Sequence, residues 1–358
     1  MIKKVMVSFT GKERKLGARS VTLSDVATYA KVSTATVSRA LNNPEKVSEV
    51  KRAHIQAAIF ELGYIPDGAA RALASRRSKI IGVVVPTLDN AIFATCIQAL
   101  QSRLKQLGYT LIVASHEYDL CEELHEVKTL LQHGIEGVML VGATHAPELH
   151  DLLVEQQLPF VHCWAYDPSS SKPYIGFDNK KAAYKIAQYL LDLGHREFAL
   201  IVGHTDNNDR ASDRLQGSID AIEARGLVLS KKNILKRSYS VKQGREAMHI
   251  LLQNSLRPTA VICGNDVLAL GALAQCQASG INVPEEISIT GFDDLDMSSQ
   301  FIPALTTVHV PSAEMGQRAA NYLVAQINHE ATLLHTEVDI ELMIRHTTAA
   351  PRPQNLDS

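Results

Sequence analysis

The chain of 358 residues is short of aromatics, which make up 5% of it, and it has one tryptophan, Trp164. So low an aromatic content suits an aliphatic α/β core better than an all-β one. No CxxC pair occurs. The five cysteines, Cys96, Cys121, Cys163, Cys263 and Cys276, are odd in number and widely spaced, which points to reduced thiols rather than a disulfide framework. No stretch approaches the ~18 apolar residues of a membrane span. The opening MIKKVMVSFTGKERK lacks the apolar run of a secretory signal, so a cytoplasmic protein with no membrane partner is expected. Enzyme signatures are missing as well: there is no GxGxxG after a strand, no P-loop and no GxSxG elbow. No catalytic residue and no cofactor are expected. His116, Cys121 and His125 are loosely grouped but lack metal-ligand spacing, so no metal is expected either.

What is present is ordinary in bulk and uneven in distribution. Apolar residues are 46% and charged residues 21%, typical of a globular protein. The net charge of −2 conceals a division: residues 1–77 hold 14 Lys/Arg against 6 Asp/Glu, and the remainder hold 22 against 32. A basic segment ahead of an acidic body is the footprint of a nucleic-acid-binding head, although a merely solvated basic tail has the same composition.

The segment VTLSDVATYAKVSTATVSRALNN (Val21 to Asn43) decides between these. Thr22 is placed to cap a helix, with Asp25 three residues on as in a capping box. Val26, Ala27 and Ala30 form a small-residue stripe, Val32 fills a turn, and Ser33 caps a second helix whose Val37 and Leu41 face inward. Two short helices joined by about four residues make a helix-turn-helix. A third helix, starting at Ser48 or Glu49, turns Ile55, Ala58, Ile59 and Leu62 inward and stops at Gly63. In such readers the second helix enters the major groove. Ser33, Thr34, Ala35, Thr36, Ser38, Arg39 and Asn42 then face DNA, with Thr22 and Tyr64 at the edge. Arg39 can take guanine in bidentate fashion or clamp a phosphate. A generic small helical bundle is the bland alternative.

TLSDVATYAKVSTATVSRALNN, then VS, then LGYIPDGAARALAS, resembles the N-terminal signature of the LacI/GalR family of bacterial repressors. The likeness extends from about Val21 to about Thr347, behind an additional basic arm (1–20). It implies a headpiece (21–66), a hinge helix (67–77), an effector-binding core (78–347) and a tail (348–358). In the hinge, Leu73 takes the position that wedges into the minor groove at the operator centre, and Arg71 suits phosphate contact. A plain linker is the alternative. GFDN (Gly176 to Asn179) and DNAIFA (Asp89 to Ala94) look somewhat like the gluconate-repressor branch.

From Lys79 onward apolar runs alternate with helical stretches: IIGVVVP, TLIVAS, GVMLVG and FVHCW in one series, FALIVG, ILKRSYS, AVICG and ISITGFDD in a second. This βαβ alternation predicts two doubly wound parallel-sheet subdomains with ligand between them. The family resemblance implies the architecture of periplasmic sugar-binding proteins, divided into 78–177 plus 301–307 for the first subdomain and 178–300 plus 308–347 for the second. Candidate ligand residues lie at strand ends: Asp89, Asn90, Phe93, His116, Trp164 and Phe177 in the first half, Arg214, Asn265 and Asp293 in the second. The resemblance puts Arg214 at a ligand-clamping arginine and Asn265 and Asp293 at positions that bond ligand hydroxyls. His116 and His162 are equally readable as structural histidines, Asp266 as a helix cap, and Asp178 and Asn179 as caps or braces of the crossover.

These readings converge on a ligand-responsive, sequence-specific DNA-binding regulator. A repressor of a catabolic operon, controlled by a sugar or sugar acid, is the leading expectation. An activator or dual regulator is the alternative, and a solute-binding protein the more distant one. The leucine-heptad tail that makes some members tetramers is absent, so a homodimer on a pseudo-palindromic double-stranded operator is expected.

Overall fold

The computed structural model describes residues 21–66 and 77–352. The arm, the tail beyond Arg352 and residues 67–76, with Arg71 and Leu73, lie outside the described residues. The chain divides into two compact units at Ser78/Lys79.

Among the described residues the first unit holds three α-helices, α1 (Leu23–Tyr29), α2 (Thr34–Asn42) and α3 (Glu49–Leu62). Thr22 and Asp25 form the capping box, Thr22 N–H donating to the Asp25 carboxylate at 2.8 Å and Asp25 N–H to Thr22 Oγ1 at 3.3 Å. Ser33 caps α2 by accepting from Thr36 N–H at 3.2 Å. Gly63 ends α3 at φ 62°, a left-handed value glycine adopts without penalty. Val26, Ala27, Val37, Ile55 and Ala58 are buried together, with Leu41, Ile59, Leu62 and Tyr64 packed around them.

The second unit contains two parallel sheets. The first runs through β1 (Ile80–Val85), β2 (Thr110–Ser115), β3 (Gly137–Val141), β4 (Phe160–Cys163) and β5 (Tyr174–Gly176), interleaved with α4 (Ala91–Gln106), α5 (Leu120–Gln132) and α6 (Pro147–Glu155). The second has β6 (Phe198–Gly203), β7 (Ile234–Arg237), β8 (Ala260–Cys263) and β9 (Ser288–Thr290), with α7 (Asn179–Asp192), α8 (Asp209–Ala224), α9 (Val241–Leu252) and α10 (Asp266–Ala278). In the first sheet β1 lies between β2 and β3, and in the second β6 lies between β7 and β8. Both orders therefore reverse at a switch point, where α/β sheets open a crevice for ligand.

The expected subdomain division fails after residue 300. Gly291 N–H donates to Thr306 O and Asp293 N–H to Val308 O, so 304–309 runs beside β9 in the second subdomain, not the first. The short β10 (Thr307–His309) then leads into α12 (Ser312–Ile327), after α11 (Asp296–Gln300). Helix α12 packs on α4, and β11 (His335–Glu337) pairs in parallel with β5, so this stretch belongs to the first subdomain. The chain returns through β12 (Glu341–Met343), antiparallel to β10, and Ile289 N–H donates to Thr347 O. The crossings lie near 177, 310 and 339. Strands of three residues carry too little alternation to be read, which is why the sequence pattern misplaced the second and third.

Candidate functional site

Two sites emerge, one in each unit. On the headpiece, Ser33, Thr34, Ala35, Arg39 and Asn42 are exposed along one side of α2, while Thr36 and Ser38 are half-buried. The hydroxyls are unequally available. Thr22 Oγ1 donates to Asp25 at 2.7 Å, Ser33 Oγ bonds Thr36 Oγ1 at 2.8 Å, and Ser38 Oγ accepts from Asn42 Nδ2 at 3.4 Å. Thr34, Ala35 and Arg39 make no side-chain hydrogen bond among the described residues, so they present an open hydroxyl, a methyl and a guanidinium at the helix N-terminal half. Tyr64 is half-buried against the headpiece core rather than displayed.

In the second unit, Asn90, Phe93, Trp164, Arg214, Asn265 and Asp293 line one pocket between the subdomains. Each enters from the C-terminal end of a strand. Arg214, one turn into α8, is buried and held from several sides: Nε donates to Asn179 Oδ1 at 2.8 Å, Nη1 donates to Gly264 O at 2.9 Å, and the guanidinium lies over the Phe292 ring. Asn179 in turn donates Nδ2 to Trp164 O at 2.7 Å, tying the arginine to the opposite subdomain. Asp178 caps α7 by accepting from Lys181 N–H at 2.8 Å; the crossover pair thus serves both as cap and as brace.

Asp293 lies 3.5 Å from Arg214 Nη1 and is fully enclosed. Burial pushes its carboxyl up to about 7, outweighing the downward pull of Arg214. Its φ of 113° is unusual for a residue with a side chain, and the conformation is held by Asp293 N–H donating to Val308 O at 2.9 Å. Backbone strain of this kind collects at functional positions. Asn265 caps α10, accepting from Leu268 N–H at 2.9 Å. That corrects the reading of Asp266 as the cap: Asp266 is the first helical residue, and its buried carboxylate accepts from Leu295 N–H, Ser298 Oγ and Thr307 Oγ1 at 2.8, 2.6 and 2.5 Å. With Oδ1 spent on the cap, Asn265 Nδ2 is buried without a partner among the described residues, as is Trp164 Nε1. Buried donors in that state are rare, and each calls for an explanation.

Three expected residues do not line the pocket. Asp89 is exposed at the end of the loop, just before the α4 cap, where its N–H donates to Thr87 Oγ1 at 3.1 Å. His116 is buried behind the pocket, with Nδ1 3.2 Å from Asp119 O and Nε2 3.8 Å from Glu123. Phe177 stacks on Phe292 at 6.1 Å, beneath the arginine rather than beside the opening. Sequence reading missed Ile92, Tyr118, Asn208, Arg210 and Tyr239, which complete the lining. Arg210 was detectable as one helical turn before Arg214, and Tyr118 and Tyr239 as strand-end residues after β2 and β7. Arg210 also reaches across the cleft, donating Nη1 to Val141 O at 3.2 Å, and its partner Asp209 accepts from Ala143 N–H at 2.9 Å.

Residues 22–67 match the family described as bacterial regulatory proteins, lacI family, and residues 187–348 match a periplasmic binding protein-like domain. The HTH-type transcriptional repressor CytR of Escherichia coli strain K12 is 33% identical over 335 residues, covering 92% of this chain and 97% of that protein. The chain belongs to the LacI/GalR family. A second relative in the family, the repressor PurR of Pectobacterium carotovorum, is 32% identical with the same coverage. The crystal structure of the lac repressor dimer bound to operator and the anti-inducer ONPF superposes with a TM-score of 0.82 at 28% identity, over 93% of this chain and all of that one. The headpiece is thus a DNA-binding helix-turn-helix of this family, its homologues are transcriptional repressors, and the core has the family's periplasmic-binding-protein-like fold. Among the described residues no group of His, Cys, Asp and Glu is arranged to hold a metal ion, and no helix is long and apolar enough to cross a membrane.

Proposed function

We propose that the chain is a repressor whose grip on a pseudo-palindromic operator is set by a small molecule, a sugar or sugar acid, held in the cleft. One observation carries the ligand part of the reading. Asn265 Nδ2 and Trp164 Nε1 are buried donors without partners among the described residues, and both line the same pocket as Arg214, Arg210 and Asp293. A ligand with hydroxyl or carboxylate oxygens satisfies the two donors and the arginines, and its own hydroxyls can donate to Asp293. Phe93 and Trp164, edge to face at 5.0 Å, offer an apolar wall for a ring. The chain acts as a homodimer on two half-sites of a catabolic operon's control region. Effector and DNA act on one equilibrium, so each changes the other's affinity by the same factor.

A thermal-shift screen of the full chain against sugars and sugar acids, followed by operator binding with and without each hit, tests this. A true effector at 100 times its Kd adds about 2.7 kcal/mol and changes operator affinity. Hits that stabilise the chain and leave operator binding unchanged would refute the coupling, and the absence of any hit among sugars and sugar acids would refute the ligand class.

A further inference from the structure

The loop after β3, Gly142 to Ala146, is gripped from two sides. From the second subdomain, Arg210 donates to Val141 O and Asp209 accepts from Ala143 N–H. The approach is close enough that a Cβ on Gly142, at φ 93°, would overlap the Arg210 guanidinium. From behind, His145 is wedged between two groups. Its Nδ1 lies 2.9 Å from both carboxylate oxygens of Glu123 on α5, and its Nε2 lies 3.2 Å from Gly142 O. Both side chains are shielded from water.

The hydrogen count of this arrangement is informative. An ionised carboxylate and a carbonyl only accept, and a neutral imidazole has one N–H. With Glu123 ionised and His145 neutral, one nitrogen therefore turns a lone pair toward an acceptor. One further proton resolves the mismatch. Either an imidazolium donates to both partners, or Glu123 as the acid donates to Nδ1 while Nε2–H donates to Gly142 O.

We propose that Glu123 and His145 form a proton-dependent clasp on the Gly142 loop, and that this clasp controls how firmly the two subdomains close over the cleft. Loss of the proton sets His145 against Gly142 O, frees the loop to which Asp209 and Arg210 dock, and opens the cleft. As regulation of effector binding, the idea rests on the cleft reading above; the clasp itself does not.

Several titratable groups face the pair. Lys172 Nζ donates to His150 Nδ1 at 3.1 Å, so His150 on α6 donates Nε2–H to His162 Nε2 on β4, also at 3.1 Å. Both rings are thereby neutral. Burial, then the neighbouring cations, pushes His150 down to about 4 and His162 well below the usual imidazole range. Tyr174 stacks on His162 at 5.0 Å, and Asp151 lies near enough to His150 to oppose its shift. His116, 3.8 Å from Glu123, is likewise pushed down by burial. Asp209 and Arg210 are the charges facing the loop from α8. Asp293, in the cleft, also titrates near pH 7, so the clasp must be read from variants that leave Asp293 intact.

Trp164 is the chain's only tryptophan, is 2% exposed and lines the cleft. Acrylamide quenching of its fluorescence in the full chain therefore reports opening without DNA or effector. In the wild type, quenching should rise from pH 6 to 9 as the open-to-closed ratio increases about tenfold, the scale of one unmet buried hydrogen bond. In Glu123→Gln the amide can donate to His145 Nδ1 while Nε2–H still reaches Gly142 O, so this variant should show a clearly smaller rise than the wild type, the remainder belonging to Asp293. A role confined to packing predicts the opposite, a looser cleft with the wild-type pH slope. In His145→Gln the slope should also shrink. Quenching that is flat from pH 6 to 9 in the wild type, or an equal slope in wild type and Glu123→Gln, overturns the proposal. A failed sugar screen would leave these results untouched.

Discussion

Arg214 lies over Phe292, its guanidinium carbon 3.6 Å from the ring centroid. The stack leaves the edge of the guanidinium to make hydrogen bonds, and two of those edge bonds go to Asn179 and Gly264 O. The arginine is thus oriented before any ligand arrives, which limits the side-chain entropy lost on binding. Lysine cannot reproduce this geometry, since it is a point charge without a planar fork. Arg214→Lys should therefore weaken effector binding at least tenfold, with operator binding in the absence of effector retained. It should also lower stability, because Asn179 Oδ1 and Gly264 O lose their donor, at about 1–3 kcal/mol for each unmet buried group. Calorimetric titration with a confirmed effector checks the first effect and thermal melting the second. Unchanged effector affinity in a folded Arg214→Lys protein would remove Arg214 from the ligand's contacts.

Arg39 is exposed on α2, and its side chain makes no hydrogen bond or ion pair among the described residues. Its removal should cost DNA contacts and little stability. If it reads a base edge, Arg39→Ala loses about 1–3 kcal/mol of discrimination and the salt dependence of operator binding barely changes. If it clamps a phosphate, binding falls alike on operator and random DNA, and the slope of log K against log salt drops by about one. Affinities for both DNAs across a salt series separate the two, and base reading is the expected result.

Asp266 and Asp293 make the core's stability depend on pH in an unusual direction. Burial raises their carboxyls to about 6 and about 7, above the ordinary unfolded value near 4. Between those limits the folded protein holds more protons than the unfolded chain, so their contribution falls as pH rises, from about 4 to 6 for Asp266 and about 4 to 7 for Asp293. The effect of Asp293 alone is on the order of a few kcal/mol. Asp293→Asn cannot ionise, and asparagine tolerates positive φ. The melting temperature of this variant should gain on the wild type as pH is raised from 5 to 8. A gap that stays constant, or widens in favour of the wild type, would contradict a buried, reluctantly charged carboxyl at this position.

Much of this architecture was legible in the sequence because its signals are strong and local. The capping box of Thr22 and Asp25, the Ser33 cap and the Gly63 stop mark the headpiece helices, and runs such as GVMLVG and FALIVG read as buried strands. The cleft residues Arg214, Asn265 and Asp293 were legible through strand-end position together with family resemblance. What escaped detection depends on long-range contacts. The β10–β12 pair and β11 are three residues each, and only their partners, β5 among them, define them. Tyr239 and Arg210 reach the pocket because two subdomains meet there, and His116 misses it because Glu123 holds a position behind. Nothing in the spacing of Glu123, His145, His150, His162 and Lys172 announces that they meet.

The α4–α12 contact offers a test of the division between subdomains. Gly316 on α12 faces α4 so closely that a Cβ would sit 2.3 Å from Cys96 O and 3.0 Å from Leu100 N. These are backbone atoms of a buried helix, which cannot swing aside as a flexible side chain would. Gly316→Ala must therefore push the two helices apart, at a cost of about 1–3 kcal/mol or more, read as a lowered melting temperature. Gly280, at φ 67° with nothing within 4 Å of the place a Cβ would take, provides the contrast. Gly280→Ala meets only the conformational penalty, about 1 kcal/mol. If α12 belonged with the second subdomain, as its place in the chain suggests, Gly316 would face no helix of the first and the two variants would melt alike. A clearly larger loss for Gly316→Ala is the expected outcome, and equal losses would return Ser312–Ile327 to the second subdomain.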